Sequence, residues 1–245
     1  MGEGLGMTRK DAVARPVMHR TRMCAALLAG ALLAGCGGGN QVEPLELQVI
    51  RAGQAAIAKR TAGAPPPRPA LTRAALNTVE VSALEVTLER DDVLAYLLID
   101  DTRRDSSPGK ITVWRSEDNL NVVTRNGIVI ATRGLGNDII SSSVQVSGDS
   151  PGPARGGDHV QMVRALDNKA VPIPLACDLV DMGAETIVIV ERKHPTRHLQ
   201  QRCEGAGGTV VNDYWVDSAR GIVWQSRQWA GPGIGYMRLR RLTTG

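Results

Sequence analysis

Val122-Val123-Thr124-Arg125-Asn126-Gly127-Ile128-Val129-Ile130-Ala131-Thr132 decides the fold. Two runs rich in β-branched residues flank an Asn-Gly pair. A type I′ turn needs positive φ at both central positions, which Asn and Gly tolerate best, so the segment predicts a tight antiparallel hairpin. Period-two patterning spreads outward from it. Upstream, Val81–Glu89, Val93–Ile99, Lys110–Arg115 and Leu120–Arg125 read as strands. Downstream, the same reading covers His159–Leu166, Ile173–Leu179, Thr186–Glu191, Thr209–Val216, Gly221–Trp229 and Gly235–Leu242. Asp91-Asp92, Asp100-Asp101, Asp118-Asn119, Asp167-Asn168, Met182-Gly183 and Asp217–Gly221 punctuate them as turns. Nine to twelve evenly spaced strands with few helices predict an all-β fold, an antiparallel barrel-like or strongly curved sheet. Thr186–Val190 is apolar on both faces, which predicts a strand covered on both sides, with an N-terminal helix as the cover. The Ser-, Gly- and Pro-rich residues 141–157 predict a long mobile loop.

The N-terminal third is different in kind. Arg20 and Arg22 precede Met23–Ala34, an apolar run of roughly eleven residues, too short to span a bilayer but suited to a signal-peptide core. It ends in Leu33-Ala34-Gly35-Cys36, small residues before a cysteine, the pattern of a bacterial lipoprotein signal. The reading is a signal over 1–35, with Met1 and Met18 both possible starts, and acyl chains on Cys36 anchoring the protein to a membrane. Gly37–Gly39 and Asn40 form a flexible tether. The residue after Cys36 is not Asp, so the retention signal of the inner membrane is missing, and the expectation is an outer-membrane lipoprotein on the periplasmic face. Residues 36–69 continue as tether, a short helix over 45–60 (Leu45, Val49, Ala52, Ala56) and a stiff spacer at Pro65–Pro67 and Pro69. A second short helix covers Leu71–Leu76, and 70–245 is the β domain.

Five of the 29 basic residues and two of the 25 acids precede Cys36, so the remainder carries a net charge of only +1, which does not support nucleic-acid binding. Cys177 and Cys203 remain as an even pair in an oxidising compartment. Joined, they would close a loop worth about 3.5 kcal/mol by chain entropy; two buried thiols are the alternative. Neither has a nearby Cys or His at ligand spacing, so no metal is expected.

Enzymatic motifs do not assemble. Gly148-Asp149-Ser150-Pro151-Gly152 has the letters of a nucleophile elbow but not its strand and helix. Pro195 sits between His194 and His198, in a strand context that would hold the rings some 13 Å apart at about 3.3 Å per residue. Gly205–Gly208 lacks the βαβ setting of a phosphate loop. No catalytic residue and no cofactor are expected. The aromatics are informative: five of seven lie after position 213. In an unbroken strand, Trp224 faces one side and Arg227 and Trp229 the other. Indole faces with Arg and Gln neighbours suit a saccharide, against a core-filling role in a chain without Phe.

An ordered set of segments carries a resemblance: Trp114-Arg115-Ser116, Arg125–Asp138, Cys177-Asp178, Glu185–Arg192, Cys203–Gly208, Asn212–Asp217, Trp224–Trp229 and Gly235-Tyr236. Over about Leu71–Leu242 the chain resembles the YjbF/GfcB lipoproteins, associated with group 4 capsule and exopolysaccharide production. The resemblance implies an all-β, barrel-like lipoprotein encoded among polysaccharide-secretion genes, and it transfers no catalytic residues. The expected function is a non-enzymatic accessory factor in polysaccharide export or assembly, binding glycan or a secretion-machinery protein. Trp114, Arg133, Trp215, Arg227 and Trp229 are the expected contacts. The rivals are a periplasmic polysaccharide hydrolase, which needs two opposed carboxylates in a groove, and a lipid or lipoprotein carrier, which needs a large apolar cavity.

Overall fold

The computed structural model describes residues 71–245 except Leu166. The signal, Cys36, the 45–60 helix and the proline spacer lie outside the described residues. One helical turn, α1 (Arg73–Leu76), precedes twelve antiparallel strands. These are β1 (Ala83–Leu88), β2 (Val93–Arg103), β3 (Ile111–Arg115), β4 (Asn121–Arg125), β5 (Ile128–Arg133), β6 (Ile139–Ser143), β7 (Gly157–Arg164), β8 (Ala170–Ile189), β9 (Arg192–Gly205), β10 (Gly208–Asp217), β11 (Ile222–Trp229) and β12 (Tyr236–Arg241). The order β5-β4-β3-β2-β1-β12-β11-β10-β9-β8-β7-β6 joins two meanders through the pairing of β1 with β12, from Leu84↔Arg241 to Leu88↔Met237. The result is a nearly closed barrel.

The Asn126-Gly127 turn has positive φ at both residues, 49° and 87°, as the sequence demanded. Two expected turns are instead bulges inside strands. β2 runs through Asp100-Asp101 with a register shift between Ile99 and Asp101. Residues 173–191, read as two strands around Met182-Gly183, contribute to one long β8, with a bulge between Asp181 and Gly183. β6 and β9 were not legible as strands. β9 contains Pro195, which normally argues against a central strand. Here Pro195 pairs with Thr186 of β8 but lies beyond the β10 ladder, which ends at Arg197, so β9 is an edge strand at that position.

Side-chain alternation on β2 separates two cores. Ala95 and Leu97 point into the barrel with Leu84, Val86, Val122 and Met237. Tyr96 points outward, joining Leu76, Val79, Ile187, Ile189, Trp224 and Leu242 beneath α1. β1, with Leu84 and Val86 inside and Ala83 outside, and the first half of β2 are therefore covered on both faces. At the end of β8, Ile187 and Ile189 are buried but Val188 is 57% exposed, correcting the two-sided cover expected there. Arg73 clamps that hairpin tip: Nη2 donates to Ile189 O (2.7 Å), Nε to Val190 O (3.0 Å) and Nη1 to Leu242 O (3.2 Å).

The barrel's seam lies between β5 and β6. Side chains satisfy backbone groups there. Gln228 Oε1 accepts from Val129 N (2.9 Å), and its Nε2 donates to Gly127 O (2.9 Å). Ile139 N donates to Thr132 Oγ1 (3.0 Å), which in turn donates to Asp138. The segment expected to be a mobile loop is packed. It begins with β6, Pro151, Gly152 and Pro153 are buried, and Val144 and Val146 pack on Ile128, Tyr214 and Val216. Asn126 Nδ2 holds it by donating to Gly148 O (2.9 Å) and Ser150 O (2.8 Å). Composition misled because these residues find backbone partners on the neighbouring hairpin.

Candidate functional site

A cavity of about 410 Å³ opens at one mouth of the barrel, where the β2–β3, β4–β5 and β10–β11 turns meet the C-terminal end of β12. Its walls come from inward positions of the strands: Thr112 and Trp114 on β3, Thr124 on β4, Ser226 on β11, and Leu239 and Arg241 on β12. Leu84 closes the apolar side, and the Asn126-Gly127 turn forms part of the rim. β12 alternates Met237, Leu239 and Arg241 on one face, so the periodicity that builds the apolar core delivers a guanidinium at its open end.

Arg241 is the unusual group. Nε donates to Thr243 O (3.0 Å) and Nη2 to Ser82 Oγ (3.0 Å). The guanidinium lies over the Trp114 ring, 4.6 Å from its centroid, and that indole Nε1–H donates to Thr124 Oγ1 (3.2 Å). No carboxylate among the described residues comes within ion-pair distance of Arg241. Burial pushes its pKa down to about 10, which leaves it charged at neutral pH. Around it the rim adds Arg104, Lys110 and Arg220 against one lining acid among the described residues, Asp149. Asp149 pairs with Arg104 (2.6 Å), and Arg220 pairs with Asp217 (3.1 Å). The mouth is thus electropositive, with hydroxyls deeper in and an apolar floor.

Of the residues expected to make contacts, Trp114 alone lines the cavity, and it is 3% exposed. Trp215 stacks on His198 (4.7 Å between centroids) and donates to Glu185 Oε2 (2.8 Å). Arg227 pairs with Glu89 (2.8 Å) and lies over the Tyr236 ring at 3.5 Å. Trp229 packs by Leu175 and the cystine, and Arg133 is exposed at the end of β5. The structure does not bring these four together. Trp224 does not face away from Arg227 and Trp229. A bulge between the Trp215↔Gln225 and Val216↔Val223 pairs makes Trp224 the extra residue, turning it outward onto His194 (3.8 Å). Sequence reasoning missed Arg241, although an Arg at the inward position after Met237 and Leu239 was a readable signal.

Cys177 and Cys203, directly opposite on β8 and β9, form a disulfide. His159 stands beside them, its ring nitrogen and both sulfurs within 4.8 Å of one another. Strand pairing of β7 with β8 creates this proximity, which linear spacing did not reveal. Ser142 Oγ and His159 Nε2 are 2.6 Å apart, and burial lowers the His159 pKa to about 4.

Comparison with known proteins agrees with this architecture. The family model described as group 4 capsule polysaccharide lipoprotein gfcB, YjbF matches residues 45–242. The uncharacterized lipoprotein GfcB of Escherichia coli K12 is 30% identical over 131 residues, which is 49% of this chain and 59% of the relative. The chain therefore spans less than two thirds of that relative's length. The crystal structure of the hypothetical lipoprotein YmcC from Escherichia coli K12 is similar with a TM-score of 0.58 at 20% identity, covering 71% of this chain and 90% of that one, a likeness of fold. With its twelve-stranded barrel and a match over most of its length, the chain belongs to the YjbF/GfcB family of group 4 capsule polysaccharide lipoproteins.

Proposed function

We propose that this lipoprotein is a non-enzymatic accessory factor in the export or assembly of an extracellular or capsular polysaccharide. Acyl chains on Cys36 hold it to the periplasmic face of the outer membrane, and its barrel binds glycan or a partner of the secretion machinery. The observation that carries the reading is family membership over residues 45–242, joined to a polar, basic cavity at the barrel mouth. Among the described residues the cavity has a single lining acid, Asp149, which is tied to Arg104, whereas a glycosidase needs two carboxylates across a cleft. Thr112, Thr124, Ser226 and Arg241 make the mouth polar, which does not suit a carrier of acyl chains. Anchorage follows from the lipoprotein signal: two or three acyl chains make release from a membrane very slow. The lack of Asp after Cys36 supports the outer membrane.

The test is a deletion strain assayed for exported polymer. Export falls in the deletion, wild-type protein restores it, and Cys36→Ala does not. Unchanged polymer in the deletion refutes the accessory role, and full restoration by Cys36→Ala refutes the need for the anchor.

A further inference from the structure

We propose that the barrel mouth is a binding site for an anionic saccharide unit, a sugar bearing a carboxylate or phosphate, with Arg241 as its principal anchor. The inference rests on the polysaccharide reading above and names the ligand chemistry of that cavity.

Three observations converge. The first is the unmatched charge. A guanidinium has five N–H donors, and Arg241 gives one to Thr243 O and one to Ser82 Oγ. Among the described residues three donors have no acceptor and no carboxylate neutralises the charge. Buried or half-buried charges are normally paired, so a planar donor fork left open toward a cavity matches an external oxyanion. The second is preorganisation. The Trp114 ring beneath the guanidinium, itself fixed by Thr124, and the bond to Ser82 hold the fork in place before any ligand arrives. The third is the setting. Hydroxyls of Thr112, Thr124 and Ser226 can donate and accept, as sugar hydroxyls require, and Lys110 adds an exposed cation at the entrance. A volume of about 410 Å³ suits a small-ligand site, which typically spans roughly 300–1,000 Å³. The cations also draw anions inward, an effect that weakens with salt.

The experiment titrates the purified full chain, by calorimetry at low and at physiological salt, with three probes: tri-galacturonate, glucose 6-phosphate and the neutral trisaccharide maltotriose. Saturable binding of at least one anionic probe, tenfold or more tighter than maltotriose and weaker at higher salt, is the expected result. Whichever anion binds identifies the acidic group. Arg241→Gln weakens that binding tenfold or more. Because Arg241 also packs on Trp114, the exposed Lys110→Glu supplies a second variant that leaves the fold alone and weakens binding several-fold. Lys169→Glu, at the opposite mouth, has no effect. Equal binding of neutral and anionic probes, or no binding of either anion, overturns the proposal. So does affinity unchanged in both Arg241→Gln and Lys110→Glu. None of these readouts depends on polymer export, so this site can fail while the accessory role stands, and the reverse.

Discussion

Replacing Gln228 by Leu tests how the barrel tolerates its seam. Gln228 is 3% exposed, and its amide acts as a substitute strand for the free edge of β5. It accepts from Val129 N at 2.9 Å and donates to Gly127 O at 2.9 Å and to Ser226 Oγ at 2.8 Å. Leu has similar bulk but strands one backbone N–H, one C=O and the buried Tyr214 hydroxyl, which donates to Gln228 Oε1 (3.4 Å), each costing about 1–3 kcal/mol when buried without a partner. Part of that returns through burial of the Leu side chain. The net expectation is a loss of about 2–5 kcal/mol, large against the roughly 5–15 kcal/mol that holds a typical domain together. Urea unfolding followed by tryptophan fluorescence measures it, and hydrogen exchange at Val129 locates it. Ser226→Ala removes a partner of Gln228 without stranding the backbone and costs about 1 kcal/mol. Gln228→Glu keeps the acceptor for Val129 but loses the donor to Gly127 O while ionised. It is destabilised at neutral pH and recovers as acid protonates the new carboxyl. A Leu variant within 0.5 kcal/mol of wild type, with Val129 still protected, would refute the reasoning.

Three further perturbations follow from the same geometry. Gly127→Ala meets a φ of 87° and places a Cβ 2.4 Å from Val223 Cγ2, so unfolding assays read a loss of about 2–4 kcal/mol. At the β8–β9 tip, Val190 and Glu191 have φ of 42° and 67°, a turn that Asn-Gly fits better. The double change Val190→Asn, Glu191→Gly raises the thermal midpoint, with a net gain of about 1 kcal/mol, because relief at two positive-φ positions outweighs the lost packing of half-buried Val190 and the Arg73 bond to Val190 O survives. His159 takes up its proton at about 4 in the native chain against 6.5 ordinarily, so the unfolded state binds more protons in that window. Stability is complete above pH 6.5 and falls by about 3 kcal/mol as pH drops toward 4. His159→Gln flattens this part of the pH profile, and an unchanged profile would assign the acid sensitivity elsewhere.

The fold was legible where local chemistry and tertiary pairing agree. Asn126-Gly127 announced its hairpin because only that turn type uses both residues, and the even spacing of β-rich runs announced the barrel. Legibility failed where a neighbour strand supplied what the sequence withheld. β9 reads Arg-Lys-His-Pro-Thr-Arg-His, with little apolar alternation, yet β8 holds it from Cys203 to Arg192. Asp100 and Met182-Gly183 look like stops, but a sheet absorbs such residues as bulges without ending the strand. The site was half legible. Trp114 could be singled out as an uncommon aromatic, but its partner Arg241 lies 127 positions later, brought next to it by the β1–β12 and β2–β3 ladders. The aromatic-rich C-terminal segment drew attention to Trp215, Arg227 and Trp229, which the alternation of β10 and β11 sends to the outer wall. Periodicity says that two residues share a face. It does not say whether that face is the interior.

The position of the cavity follows from how the barrel divides its labour. Val86, Leu97, Val122, Val129 and Met237 fill the interior away from the mouth, and burial of each such side chain contributes about 1.5–3 kcal/mol. A second apolar cluster lies outside the wall, where α1 and the β8–β9 tip cover β1, β2 and β12 and Arg73 ties them together. With two cores and a cystine securing the frame, the mouth is free to be polar. The net charge of only +1 over residues 36–245 then conceals an uneven distribution: the acids that balance Arg227 and Arg240 are Glu89 and Glu85 beside them, whereas Arg241 has none among the described residues. Charge that a fold leaves unbalanced at an opening is available to whatever enters, which is why the proposed occupant of this mouth is one that brings its own negative group.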